Sequence, residues 1–187
     1  PNHIHYVYDT YSVSNGAAKA IVAKGGDSWY LLSADYAFGH AMEEQVSKAV
    51  AASGGTVVGK ARHPFQSSDF SSYILQAQAS GAKIIGLASA GSDLVNAIST
   101  ANQFGLMEGG QTIASLMVFI TDIKAIGLPT AQGTQFVSGW YWDMNDESRA
   151  WANRYYERVK RMPTMVQAGL YSSTTQYLKA VAATGSD

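Results

Sequence analysis

At 187 residues, with a net charge of −1, 47% apolar residues and no cysteine, the chain has the length of one well-cored domain with an appendage. The composition excludes disulfides, thiolate metal sites and a cysteine nucleophile. It also lacks the basic stripe that nucleic acid or an anionic membrane surface demands, and no apolar run approaches the ~18 residues of a membrane span.

The elements follow in chain order. His3 to Thr10 alternates polar and bulky residues, as a strand or an extended crossover would. Ser12 to Lys24 carries Ala17, Ala20 and Ile21 at helical spacing and stops at Gly25-Gly26. Trp29 to Ser33 predicts a buried strand that delivers the turn Asp35-Tyr36-Ala37-Phe38-Gly39 onto a helix from about Gly39 to Ser53. Thr56 to Arg62 is β-branched and predicts a strand, and Asp69 is placed to cap a helix over Phe70 to Ala79. Lys83 to Ala88 is too short and apolar for anything but a buried strand. After the loop Ser89-Ala90-Gly91, Ser92 or Asp93 is placed to cap a helix that turns Leu94, Ile98 and Ala101 inward. Ser115 to Ile120 predicts another buried strand, with Thr121-Asp122 capping a short helix. Gly133 to Trp142 predicts a last strand. From Ser12 to Trp142 helix and strand alternate, which predicts an α/β fold: a doubly wound parallel sheet with helices on both faces. Beyond Trp142 two helices, about Asp146 to Arg161 and Thr164 to Ala183, bring no strand and form a C-terminal helical appendage.

Catalytic motifs are missing. There is no Walker phosphate loop, no dinucleotide fingerprint after a strand and no Gly-x-Ser-x-Gly elbow. Asp143, Asn145 and Asp146 lack the later Gly and Glu of a calcium hand. His3, His5, His40 and His63 have no carboxylate partner at metal-ligand spacing and read as surface or hinge residues. Asp35 and Asp122 each follow a strand, where helix capping and ligand contact both remain open. The aromatic residues Tyr36, Phe38, Phe119, Trp140, Tyr141 and Trp142 gather at strand ends or at the crossover. If Trp140 and Trp142 lie on a strand they share one face.

Several stretches resemble one family. Asp35-Tyr36-Ala37-Phe38-Gly39, Ser68-Asp69-Phe70-Ser71, Ala82-Lys83-Ile84-Ile85, Asn102-Gln103-Phe104-Gly105-Leu106 and Ala168 to Asp187 follow, in order, motifs of the type I periplasmic solute-binding proteins that serve ABC importers, the branched-chain amino acid binding group. The resemblance implies two α/β lobes joined by crossover strands and closing on a ligand. By it, residues 1–11 are a first crossover, 12–137 a ligand-binding lobe, 138–145 a second crossover, and 146–187 helices that belong to a first lobe lying outside this chain. The chain, which opens Pro1-Asn2-His3 with neither Met nor a signal peptide, then reads as a piece of a larger extracytoplasmic or periplasmic protein.

The resemblance also implies the site. Ligand contacts fall on Tyr36 and Phe38 after the first strand, Ser89 and Ala90 after the third, and Thr121 and Asp122 after the fourth, with Trp140 and Trp142 at the crossover. Ser89 and Ala90 stand where the family often has a Tyr, which leaves room for a ring. The expectation is capture of a small organic ligand, an aromatic carboxylate, with ABC importer membrane components as partners and with no cofactor, metal, nucleic acid or catalysis. The alternatives are a branched-chain or aromatic amino acid binder, or a ligand-sensing lobe of a regulator or receptor of the same fold; a flavodoxin-like enzyme comes last. Half a cleft and two unpartnered helices also lead us to expect self-association as a homodimer.

Overall fold

The structure, a computed structural model, describes residues 4–185. His3, Ser186 and Asp187, which entered the readings above, lie outside them. The described residues form two compact units: residues 9–118 with 122–137, and residues 4–8 with 119–121 and 138–185.

The first unit is built on a five-stranded parallel sheet: β1 (Ser28–Ala34), β2 (Thr56–His63), β3 (Ile84–Ala88), β4 (Thr112–Ser115) and β5 (Gln135–Phe136). The strand order is β2-β1-β3-β4-β5. Helices α1 (Thr10–Val22) and α2 (Ala37–Ala52) pack on each other, as do α3 (Ser71–Ala79) and α4 (Gly91–Gln103). Side chains alternate across β1. Tyr30 and Leu32 join Ile85, Leu87 and Ile113 in one cluster with Phe70, Ile74, Leu94 and Ile98 of the α3/α4 layer. Trp29 and Leu31 turn to the opposite face and are fully buried. The Trp29 indole N–H donates to the Gly26 carbonyl at 2.8 Å, so even this ring leaves no buried donor unpaired.

Local chemistry sets the boundaries. Helix α1 starts at Thr10 because Asp9 and Ser12 form a reciprocal capping box: Ser12 N–H donates to Asp9 Oδ1 at 2.7 Å and Asp9 N–H to Ser12 Oγ at 3.0 Å. In β2 the register to β1 skips a residue, pairing Trp29 with Val57 and Tyr30 with Gly59. A Cβ at Gly59 would lie 2.7 Å from the Tyr30 ring, so glycine is what lets that ring lie against the strand.

Two predicted strands differ. The fourth runs Thr112–Ser115 rather than Ser115 to Ile120, because it pairs in register with β3 from Ile84↔Thr112 to Leu87↔Ser115. Its last ladder bond is Leu116 N–H to the Leu87 carbonyl at 3.1 Å. Leu116, Met117 and Val118 stay buried without being strand. Burial, not pairing, therefore explains that part of the apolar run. The last strand shrinks to Gln135–Phe136, which pair with Ala114 and Ser115 of β4. Residues 138–142 are not strand, so strand alternation does not align Trp140 with Trp142. Helix α5 (Ile120–Ile126) opens before Thr121 and Asp122, which sit in its first turn instead of capping it, and a short helix α6 (Leu128–Ala131) follows.

The second unit is helical. Asn145 caps α7 (Asp146–Val159) by accepting the Ser148 N–H at 2.9 Å, and Thr164 with Gln167 forms the capping box of α8 (Met165–Thr184). Trp151 of α7 meets Trp140 edge-on and Tyr171 of α8 at a tilt, with ring centroids 5.3 Å apart in both pairs. The Trp140 indole N–H donates to Ser148 Oγ at 2.9 Å. The N-terminal segment joins this unit through Tyr6, whose hydroxyl is 2.8 Å from Ser172 Oγ. Much of α8 remains exposed and apolar, including Leu170, Tyr177 and Leu178.

Candidate functional site

In an open parallel sheet, a ligand crevice forms beyond the carboxyl ends of the strands, where the chain reverses its direction of travel across the sheet. Here that point lies between β1 and β3, because the chain steps from β1 to β2 on one side and then crosses to β3 on the other. The turn after β1 holds Tyr36 and Phe38. The turn after β3 holds Ser89 and Ala90.

Tyr36 is the N-cap of α2 in extended conformation, and Ala90 holds the same place on α4; neither side chain closes its helix. The first backbone N–H groups of both helices therefore have no capping side chain, at the crevice edge. The turn after β1 is tight. A Cβ on Gly39 would stand 1.9 Å from the Ala34 carbonyl oxygen, so glycine is the residue that lets α2 start directly against the strand. Asp35 does not cap the helix. Its Oδ1 meets His40 Nε2 at 2.7 Å in an exposed pair.

The half-buried Tyr36 ring is the centre of an aromatic run. Its centroid lies 5.9 Å from that of Phe38 and 4.8 Å from that of Phe65, both rings tilted to it. Burial, and secondarily the negative charge of Asp93, push the Tyr36 hydroxyl above its ordinary pKa, so it stays a neutral donor. Phe65 was not singled out in the sequence. The signal was available, since Pro64-Phe65 follows the carboxyl end of β2 as Asp35-Tyr36 follows that of β1.

Asp93 and His63 also differ from their sequence readings. Asp93 is not the N-cap of α4 but lies within its first turn, buried, and its Oδ2 accepts the backbone N–H of Gln66 at 3.0 Å. His63 is neither surface nor hinge. It ends β2 fully buried, edge-on to Phe70 at 4.7 Å. Its Nδ1 lies 2.9 Å from the Pro64 carbonyl; a carbonyl only accepts, so Nδ1 carries the proton.

The remaining predicted residues separate by unit. Ser89 is fully buried, and its hydroxyl finds no hydrogen-bond partner among the described residues, whereas Ala90 is half-buried at the edge. Asp122 belongs to the sheet unit; Thr121, Trp140 and Trp142 belong to the helical one. There Trp140 is engaged by Trp151 and Ser148 and Trp142 is half-buried. Among the described residues no three His, Cys, Asp or Glu side chains gather as a metal site requires, and no helix is long and apolar enough to cross a membrane.

A family model described as periplasmic binding protein matches residues 1–187. Among solved structures, a periplasmic binding protein from Burkholderia mallei is 50% identical with a TM-score of 0.92, over 98% of this chain and 48% of that one. A branched-chain amino acid ABC transporter periplasmic ligand-binding protein from Burkholderia xenovorans is 41% identical with a TM-score of 0.88, over 98% and 49%. An ABC transporter solute-binding protein from Rhodopseudomonas palustris, in complex with 4-hydroxybenzoate, shares the fold at a TM-score of 0.85 and 23% identity, over 97% and 51%. The chain thus spans about half the length of these structures. No curated protein matches it.

Proposed function

We propose that this chain, which belongs to the periplasmic binding protein family, is part of an extracytoplasmic protein that captures a small ring-bearing carboxylate for an ABC importer. The observation that carries the ligand class is the run Phe38–Tyr36–Phe65 beside the β1/β3 crevice. Two tilted ring contacts on Tyr36 offer apolar area at low entropic cost, the surface a planar ligand uses best. The small Ala90 at the facing turn leaves that ring space. In the sheet unit Tyr36, Phe38, Ser89, Ala90 and Asp122 are the proposed ligand-site positions; Thr121, Trp140 and Trp142, which belong to the helical unit, are proposed on the family resemblance alone. Ser89 would act through its backbone and small size, since its side chain is buried.

On the same reading residues 1–11 and 138–145 are crossovers, 12–137 a ligand-binding lobe and 146–187 helices of the first lobe, most of which lies in the half of the relatives that this chain does not span. The exposed apolar face of α8 is then the surface that lobe covers. The isolated chain would cover it with a second copy, and light scattering at high concentration should give a homodimer mass. A clean monomer would remove that part of the proposal.

The test is a thermal-shift panel on the two-lobe protein with benzoate, 4-hydroxybenzoate, phenylalanine and leucine. A ligand at a hundred times its dissociation constant adds about 2.7 kcal/mol of stability. A shift with the ring-bearing acids and none with leucine supports the proposal. The amino acid reading has its own support, the ligand class named for the 41% identical Burkholderia xenovorans relative. A leucine shift equal to or above that of the ring acids would favour it.

A further inference from the structure

Phe65 sits in the β2–α3 connection, a segment with no strand or helix of its own, yet its ring is placed against Tyr36. An exposed aromatic side chain on a loop ordinarily samples several rotamers and offers a neighbour little support. This loop is tied down. Gln66, the next residue, takes a left-handed φ of 61°, unusual for a residue with a Cβ. Two hydrogen bonds hold the loop there: the Gln66 N–H donates to buried Asp93 Oδ2 at 3.0 Å, and Asn96 Nδ2 donates to the Ser67 carbonyl at 3.3 Å. Both anchors come from the first turns of α4, the helix that opens at the β3 side of the crevice. The Asp93 bond has a carboxylate acceptor that is itself buried, which makes it the stronger of the two. The two edges of the crevice are therefore linked through one loop, from α4 through Gln66 to Phe65 and from Phe65 to Tyr36.

We propose that Phe65 is a positioning residue, held by Asp93 and Asn96 of α4, that fixes the plane of the Tyr36 ring and so sets the preference of the site for planar, ring-bearing ligands. The inference rests on the reading of the site as one for ring-bearing acids. Phe65 leaves more than half of its surface exposed, at 57%. Its removal therefore costs the fold little, while Tyr36 loses the neighbour that limits its rotation. Aromatic pairs contribute through orientation as well as area, so the effect concerns ligand choice rather than stability.

The experiment is isothermal titration of the two-lobe protein with 4-hydroxybenzoate and leucine, for the wild type and for Phe65→Leu, Phe65→Tyr, Asn96→Ala and Asp93→Ala. If the wild type binds no ring-bearing acid, the site reading fails before the variants are tested. If it binds, Phe65→Leu should weaken 4-hydroxybenzoate about three- to tenfold with any leucine binding and the melting temperature unchanged, and Phe65→Tyr should restore wild-type affinity. Asn96→Ala should show a smaller loss of the same kind. Asp93→Ala combined with Phe65→Leu should lose no more than the larger single loss, because both act through one ring. Unchanged affinity in Phe65→Leu, no rescue by Phe65→Tyr, or additive losses in the double variant would overturn the proposal.

Discussion

Arg62 grips Glu43 from the edge strand: its Nε donates to Oε2 at 3.2 Å and its Nη2 to Oε1 at 3.1 Å, with Lys60 Nζ 3.5 Å from the same Oε1. Glu43 is buried on α2 and both cations are partly exposed on β2, so a buried acid joins the helix to the sheet edge. Burial by itself would raise the Glu43 pKa. Hydrogen bonding from Arg62 first, then the polar Ser33 hydroxyl nearby, with the charges of Lys60 and Arg62, outweigh it and hold the carboxyl below its ordinary range.

A lowered folded-state pKa means that the unfolded chain binds more protons in acid, so stability rises with pH there. The Glu43 contribution should be fully present above the unfolded value of about 4.3 and fade as pH falls through the lower folded one. Glu43→Gln should cost about 1–2 kcal/mol at neutral pH, the partly exposed cations keeping it modest. The gap to the wild type should narrow as pH falls below the unfolded value and close only beneath the lower folded one. Urea midpoints of both proteins across that range measure it; a constant gap would contradict the assignment.

Gly39→Ala should destabilise the protein by about 2–3 kcal/mol, because the new Cβ meets a backbone carbonyl that has no rotamer to yield. The helix start must shift instead, and with it Tyr36 and Phe38. Loss of ligand affinity should accompany the lowered urea midpoint, whereas Ala→Gly at exposed Ala41 of the same helix should leave affinity alone.

Ile98→Ala should remove about 2–5 kcal/mol. Ile98 is fully buried within the cluster that joins α3 and α4 to the sheet. Chemical denaturation of the chain reads the loss directly, and a cost under 1 kcal/mol would place the core elsewhere.

Trp140→Phe should cost the helical unit about 1 kcal/mol, since Ser148 Oγ loses its indole donor while a ring still meets Trp151. A ligand-binding change in this variant at unchanged stability would assign Trp140 a direct role in the site.

Much of the fold follows from one-dimensional patterns. The apolar runs at Trp29 to Ser33 and Lys83 to Ala88, the β-branched run after Gly54-Gly55, and the helical spacing of Leu94, Ile98 and Ala101 place strands and helices to within a few residues, because burial of one face imposes a period that composition reveals. The alternation of these elements implies parallel pairing, and the positions of Tyr36 and Ala90 at the crevice come with it. Strand length is different. β4 and β5 are cut short by the register of their neighbours, a property of pairs of strands that a single apolar run such as Ser115 to Ile120 does not carry. The same holds for Asp93 and Phe65. An acid three residues into a helix and an aromatic after a proline are unremarkable in the chain. They gain their roles because the crossing from β2 to β3 lays the loop of one beside the helix of the other, 27 residues apart in sequence at the Gln66–Asp93 bond. Contacts of that separation depend on where the backbone goes, and that information lies in the packed sheet and not in any local stretch of residues.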